Sequence, residues 1–292
     1  MIFDTHIHFN DERIIQNFEK YFNEAIKNNV KLFLCIGYDV ESSKKAIELA
    51  EKYPEIYAAV GVIPTEHEQY VIKNGEKPST IDEIRELAKS SKKVVAIGEI
   101  GLDYYWENAP EIKEKQKIMF KEQIELANEL NLPISIHCRN AIQDCFDILK
   151  TNRVKNTGIM HCYSGSKEMA LEFCKLGYMI AFGGVLTFKN SKESKETILA
   201  IDKKYVVFET DAPYLAPTPY RGHLNEPKYI CETVKFAADM LNISYEEMQN
   251  TSLENSLNIL KIKYENKNWW FNCCWRKNRY RLSIILFRCG FL

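Results

Sequence analysis

Leu32-Phe33-Leu34-Cys35-Ile36 and Val94-Val95-Ala96-Ile97 are short, unbroken apolar runs. A strand with one wet face alternates apolar and polar side chains, whereas a strand covered on both faces has no need to. These runs therefore predict strands of a parallel sheet buried on both sides. Counting the strands they belong to, eight such segments recur, at residues 2–6, 31–37, 56–62, 94–98, 134–137, 158–161, 178–182 and 205–209. Stretches with helical spacing lie between them. In 114–130, Ile118, Phe120, Ile124, Leu126 and Leu130 are interleaved with Lys and Glu, and Leu132-Pro133 is expected to end that helix. Eight strands alternating with helices predict right-handed crossovers in an α/β fold. Closure into a TIM-type (β/α)8 barrel is favoured over an open doubly wound sheet. The sixth and seventh segments are weaker, which leaves a distorted or incomplete barrel open. Two extra helices are expected after the eighth strand, at 227–241 and 245–262, with Ser244 and Glu247 spelling a capping box for the second.

The chain has 292 residues, 46% hydrophobic and 27% charged, with 39 Lys+Arg against 40 Asp+Glu. That apolar content excludes a disordered chain, and 12 Gly with 9 Pro exclude collagen-like and low-complexity classes. The net charge of −1 argues against a surface that grips nucleic acid or anionic lipid everywhere, though a local patch is compatible with it. No apolar run approaches the roughly 20 residues of a membrane span, and the opening Met1-Ile2-Phe3-Asp4 lacks the pattern of a secretory signal. Nine scattered Cys without a C-x-x-C pair read as reduced thiols. Cys138 and Cys162 are expected to be core residues, and a cytoplasmic location is expected.

Six residues fall at or just past the ends of these segments: His6, His8, Glu99, His137, His161 and Asp211. Residues i and i+2 of a strand share a face, so His6 and His8 can reach one ion. Taken singly, each of the six has an ordinary structural reading. Together they would converge on the C-terminal face of a barrel, where active sites are built. Four imidazoles and two carboxylates gathered there are expensive to leave unpaired, and two divalent cations would satisfy them. Nitrogen and carboxylate ligands suit Zn²⁺, Mn²⁺, Fe²⁺ or Co²⁺, whereas Mg²⁺ usually prefers oxygen.

The segments Phe3-Asp4-Thr5-His6-Ile7-His8, Ile97-Gly98-Glu99-Ile100-Gly101-Leu102-Asp103-Tyr104, His137-Cys138-Arg139, His161-Cys162-Tyr163-Ser164-Gly165 and Glu209-Thr210-Asp211-Ala212-Pro213-Tyr214-Leu215 resemble the signatures of the TatD family, metal-dependent deoxyribonucleases of the amidohydrolase superfamily. Arg221-Gly222 and Asn225-Glu226-Pro227 extend the last match. The resemblance covers residues 1–263, leaving 264–292 as an atypical tail. It implies a TIM-type barrel and a 3′→5′ exonuclease acting on single-stranded DNA, with RNA a further substrate. It also implies two divalent cations, Mg²⁺, Mn²⁺ or Zn²⁺. On that likeness His6, His8 and Asp211 would hold the first metal, His137 and His161 the second, and Glu99 would bridge them. One departure stands out. The family's Gly-x-His-Pro segment reads Gly61-Val62-Ile63-Pro64 here, and His67 is out of register to replace the histidine.

In the reaction this implies, Asp211 accepts the proton of a water activated between the metals. Arg139, two residues from His137, is expected to contact phosphate, with Arg221 and His223 as lesser candidates. Tyr163, Tyr104 and Tyr214 are candidates to stack a terminal base. Two other readings stay open: a metal-dependent ester or amide hydrolase, such as a deacylase of mischarged tRNA, and an inactive scaffold. No membrane span and no obligate protein partner are expected. Residues 267–292 contain three of the four Trp and six basic residues but no acidic one, so residues 1–266 carry a net −7. The tail reads either as a nucleic-acid or membrane patch or as an extension outside the domain. The acidic body leaves phosphate to metals and a few arginines.

Overall fold

Eight parallel strands pair in strict sequence order: β1 (Ile2–Ile7), β2 (Val30–Ile36), β3 (Ile56–Val60), β4 (Val94–Asp103), β5 (Ile134–Arg139), β6 (Gly158–Met160), β7 (Met179–Phe182) and β8 (Val206–Phe208). The computed structural model describes residues 1–72 and 79–264. Each strand is followed by helix, so the sheet is wrapped on its outer face and filled on its inner one. β2 and β4 bury almost every residue, as their unbroken apolar runs require. The seam between β8 and β1 carries no regular ladder. It is closed just past β8, where the Asp211 amide donates to the His6 carbonyl (2.9 Å) and the His8 amide to the Ala212 carbonyl (2.9 Å). Within the seam the Thr5 hydroxyl donates to the Phe208 carbonyl (2.9 Å). The chain thus forms a nearly closed TIM-type barrel.

Two departures from regular pairing position residues of the barrel mouth. Between Asp4 and Ile7 of β1, three steps oppose two on β2 (Phe33 to Cys35), and between Ile97 and Ile100 of β4, three steps oppose two on β5 (Ile134 to Ile136). Each is an extra residue in the strand, a feature that re-aims side chains beside functional sites. His6 lies in the first and Glu99 in the second. The expectation that β4 ends at Gly98, with Glu99 just beyond it, is corrected: β4 continues to Asp103, and Glu99 is a buried residue inside it. The continuation depends on Gly101. Its φ is +142°, and a Cβ there would stand 1.9 Å from the His137 carbonyl oxygen, so only glycine lets β4 and β5 run this close.

The helix expected over 114–130 runs from Pro110 to Leu130, with Pro110 in its first turn, and stops at Asn131 in the left-handed conformation before Pro133 is reached. After β8, a 3-10 turn at Pro227–Tyr229 leads into the helix Ile230–Leu241, and Tyr245–Ile259 forms the last. At Ser244 the side chain caps the Glu247 amide, one half of the expected capping box. Cys138 and Cys162 are half-buried, and Cys138 packs against the hydrophobic core. Residues Met1–Lys261 form one compact unit. The atypical tail lies outside the described residues apart from Tyr264.

Candidate metal centre

His6, His8, Glu99, His137, His161 and Asp211 lie in, or just past, five of the strands and meet at the C-terminal mouth. His6 Nε2 and His8 Nε2 are 3.2 Å apart. Two nitrogens bound to one ion at about 2.0–2.1 Å, at tetrahedral to octahedral angles, stand roughly 2.9–3.4 Å apart, so this pair is spaced as ligands of one cation. Asp211 Oδ1 lies 3.4 Å from His8 Nε2 and 3.9 Å from His6 Nε2. Glu99 spans the centre: Oε2 faces His6 Nε2 at 3.5 Å, while Oε1 lies 2.8 Å from His137 Nδ1 and 3.7 Å from His161 Nε2. The geometry groups His6, His161 and Asp211, then His6, His8 and Glu99, then Glu99, His137 and His161, as sets able to hold an ion.

The outward nitrogen of every imidazole also faces an oxygen. His6 Nδ1 lies 3.4 Å from Ser135 Oγ, and His8 Nδ1 lies 3.3 Å from the Ile36 carbonyl. His137 Nε2 lies 2.8 Å from Asp103 Oδ2, and His161 Nδ1 lies 3.0 Å from Glu209 Oε1. Such outer partners fix ring orientation and tautomer and raise ligand basicity. Asp103 and Glu209 were not among the sequence candidates. Their signal was an acid at the end of an apolar strand, two residues from Gly101 and from Asp211. Asp103 Oδ1 in turn accepts from the Tyr105 amide (2.9 Å), and Glu209 Oε1 from the Cys162 amide (2.7 Å).

Electrostatics explain why the cluster calls for cations. Among the described residues, the ion pairs of Glu99 are all with histidines. A buried carboxylate needs a positive partner. Burial would raise the Glu99 carboxyl, but His6 and His137 beside it hold it well below the usual carboxylate range. Burial opposes protonation of His137, yet Asp103 and Glu99 lift it to about 9, and the same contest at His161, with Glu209 and Asp211, ends at about 10. The residues present fit metal binding in donor type, spacing and charge.

A cavity of about 380 Å³ opens over the cluster, lined by His137, His161, Asp211, Arg139 and Tyr214. Arg139 packs its guanidinium 3.7 Å above the Tyr105 ring. Tyr214 lies at the cavity with Arg13 over its ring at 4.5 Å. Tyr104 is not among the residues lining this cavity; it lines a separate pocket and donates its hydroxyl to Asp144 (2.8 Å). The expectation that Tyr163 stacks a base is corrected: the ring belongs to the hydrophobic core, beside Phe173, and its hydroxyl donates to the Ser166 carbonyl at 2.8 Å. Arg221 is exposed and lies over Phe188, outside the residues lining the cavity. Ile63 is half-buried, its amide donating to the Tyr38 carbonyl, and His67 is buried in a neighbouring pocket.

Residues 3–261 match the profile of the family described as TatD related DNase. The chain belongs to the TatD family. Among its TatD-family relatives is the uncharacterized metal-dependent hydrolase YabD of Bacillus subtilis, 39% identical over 263 residues, covering 90% of this chain and all of that one. The uncharacterized metal-dependent hydrolase MJ1582 of Methanocaldococcus jannaschii is 32% identical over 259 residues, covering 88% of this chain and 96% of that one. The crystal structure of YJJV, a TatD homolog from Escherichia coli, superimposes with a TM-score of 0.82 at 26% identity, covering 90% of this chain and 98% of that one. This TatD-family chain is therefore a metal-dependent hydrolase, and none of its described helices is long and apolar enough to cross a membrane.

Proposed function

We propose that this protein hydrolyses phosphodiester bonds of DNA, preferring single strands and working from the 3′ end, with RNA as a second substrate. The observation that carries the reading is the meeting of four imidazoles and two carboxylates beneath one cavity, each imidazole held from behind, with Arg139 at the rim. His6, His8 and Asp211 would hold one divalent cation, and His137 and His161 a second, with Glu99 between them. Bound there, Mg²⁺, Mn²⁺ or Zn²⁺ supplies a water acidic enough to ionise near neutral pH and neutralises charge on a phosphate.

The chain's own groups do the rest. Burial tends to raise the Asp211 carboxyl, but His161, His8 and His6 keep it below its ordinary value. It therefore stands ionised at neutral pH, ready to accept the proton of the attacking water. Arg139 is braced against Tyr105, so its planar fork presents donors to phosphate oxygens with little freedom left to lose. Tyr214, half exposed at the same cavity, is placed to stack a terminal base. Residues 1–263 form the catalytic body, and a cytoplasmic location suits its free thiols.

The test is a panel of end-labelled single-stranded DNA, single-stranded RNA and an aminoacyl ester, each with Mg²⁺, Mn²⁺ or Zn²⁺. Stepwise shortening of the DNA from its 3′ end is expected. Turnover of the ester alone would establish the deacylase reading instead.

A further inference from the structure

A second pocket, of about 290 Å³, lies beside the metal cavity, lined by Thr65, His67, Asp103, Trp106, Glu107 and Gln116. Asp103 stands between the two, since the carboxylate that lines this pocket also reaches His137 Nε2 at 2.8 Å. Most of its polar groups are already engaged. Gln116 exchanges two hydrogen bonds with the Asp103 backbone (2.9 and 3.0 Å), and Asp103 Oδ1 accepts from the Tyr105 and Trp106 amides (2.9 and 3.3 Å). His67 differs: it is 5% exposed, and its Nδ1 has no hydrogen-bond partner among the described residues. Its Nε2 lies 3.4 Å from Glu107 Oε2, and the Glu107 side chain is nearly half exposed. A buried, unpaired ring nitrogen beside an open cavity costs stability unless something fills that place.

Trp106 forms another wall and is 68% exposed, the most exposed large apolar side chain among the described residues. Its ring meets Tyr105 edge-on at 4.9 Å, and the Arg139 guanidinium lies 5.5 Å from its centroid. The pocket thus combines a flat aromatic wall, an acceptor carboxylate and an unsatisfied imidazole nitrogen. It has no Lys or Arg in its lining and two carboxylates, which disfavours phosphate. A neutral, planar heterocycle meets no such repulsion.

Resting on the hydrolase reading above, we propose that this pocket is a nucleobase subsite, with Trp106 as the stacking face and His67 and Glu107 reading the base edge. Glu107 accepts from an exocyclic amine, and His67 donates from Nδ1 to the neighbouring ring nitrogen, an acceptor in cytosine and an N–H in uracil. The site therefore favours a base with an amine at that edge, such as cytosine, over one with a carbonyl there, such as uracil. It gives the enzyme sequence preference at one nucleotide, separate from the metal cavity that handles phosphate.

Deoxycytidine and deoxyuridine differ at this edge alone and carry no phosphate, so their binding reads the pocket without any cleavage. With the full chain, tryptophan emission is followed during titration with each nucleoside, and the Trp106→Phe trace is subtracted to remove the other tryptophans. Saturable quenching is expected, with deoxycytidine binding about tenfold more tightly than deoxyuridine. Glu107→Gln should bring that ratio near one, and His67→Ala should weaken both nucleosides. Glu107 is a surface residue, so its variant keeps the test decisive even where His67→Ala fails to fold. Equal affinities in the wild type, or a preference untouched by Glu107→Gln, overturn the subsite. Nucleoside binding with intact DNA left uncut overturns the nuclease reading and leaves this pocket standing.

Discussion

Asp103 Oδ2 and His137 Nε2 lie 2.8 Å apart, while the opposite nitrogen of the same ring lies 2.8 Å from Glu99 Oε1. His137 is thus gripped from both sides, and its inward nitrogen is held in a fixed direction before any ion arrives. Loss of such an outer partner typically lowers metal affinity about 10–100-fold. Asp103→Asn is expected to do so here, read by competition with a chromophoric chelator. Activity should return at saturating metal. An unchanged metal affinity would make the contact purely structural.

Asp211 is the carboxylate closest to His8 and the one placed at the open cavity. Asp211→Asn keeps the size and removes the charge. Hydrolysis of single-stranded DNA should fall below detection while the circular dichroism spectrum stays native. Chelation should abolish activity in the wild type, and added divalent metal should restore it. Persistent activity in Asp211→Asn removes this residue from the chemistry.

At Gly101, β4 runs against the His137 backbone of β5. A methyl group there would stand 1.9 Å from the His137 carbonyl oxygen and sit on a backbone of φ +142°. Gly101→Ala should cost at least about 1–3 kcal/mol of stability from the backbone alone. It should also disturb His137. Thermal melting and metal titration together check this, and a variant that melts and binds metal like the wild type would contradict the close approach.

Tyr163 separates a packing role from a substrate role. Tyr163→Phe removes only the hydroxyl bonded to Ser166 and should cost about 0.5–1.5 kcal/mol of stability. KM for DNA should not move. A raised KM with unchanged melting temperature would return Tyr163 to the substrate site.

The tail is tested by length. A chain ended after Glu265 removes three of the four Trp and the net +6 of the last 26 residues. Metal content and hydrolysis rate are expected to match the full chain. A steep loss of affinity for DNA at moderate salt, with the metal centre intact, would show instead that the basic tail grips the phosphate backbone.

The barrel was legible because burial on both faces leaves its mark on local sequence. Leu32 to Ile36 and Val94 to Ile97 can be continuous only in strands covered on both sides, and eight such segments spaced by helices close in few ways. The convergence of the six candidate ligands was legible for a related reason: polar side chains at the ends of apolar strands must converge in such a barrel. Tyr163 was misread because an aromatic beside a ligand looks the same in sequence whether it turns to the cavity or the core. That choice depends on Phe173 and the Ser166 carbonyl, which reach it through the tertiary fold.

By itself, the sequence determined the order of strands and helices and the six candidate ligands, since each depends on residue type and short-range spacing. Only the tertiary structure decided that Glu99 lies inside β4, that Asp103 and Glu209 brace two of the imidazoles, and that His67 shares a pocket with Trp106. These depend on one-residue slips in strand register and on contacts between residues 34 to 48 positions apart, such as Asp103–His137 and Glu209–His161. No local pattern encodes such distances, because they are set by how neighbouring strands pack.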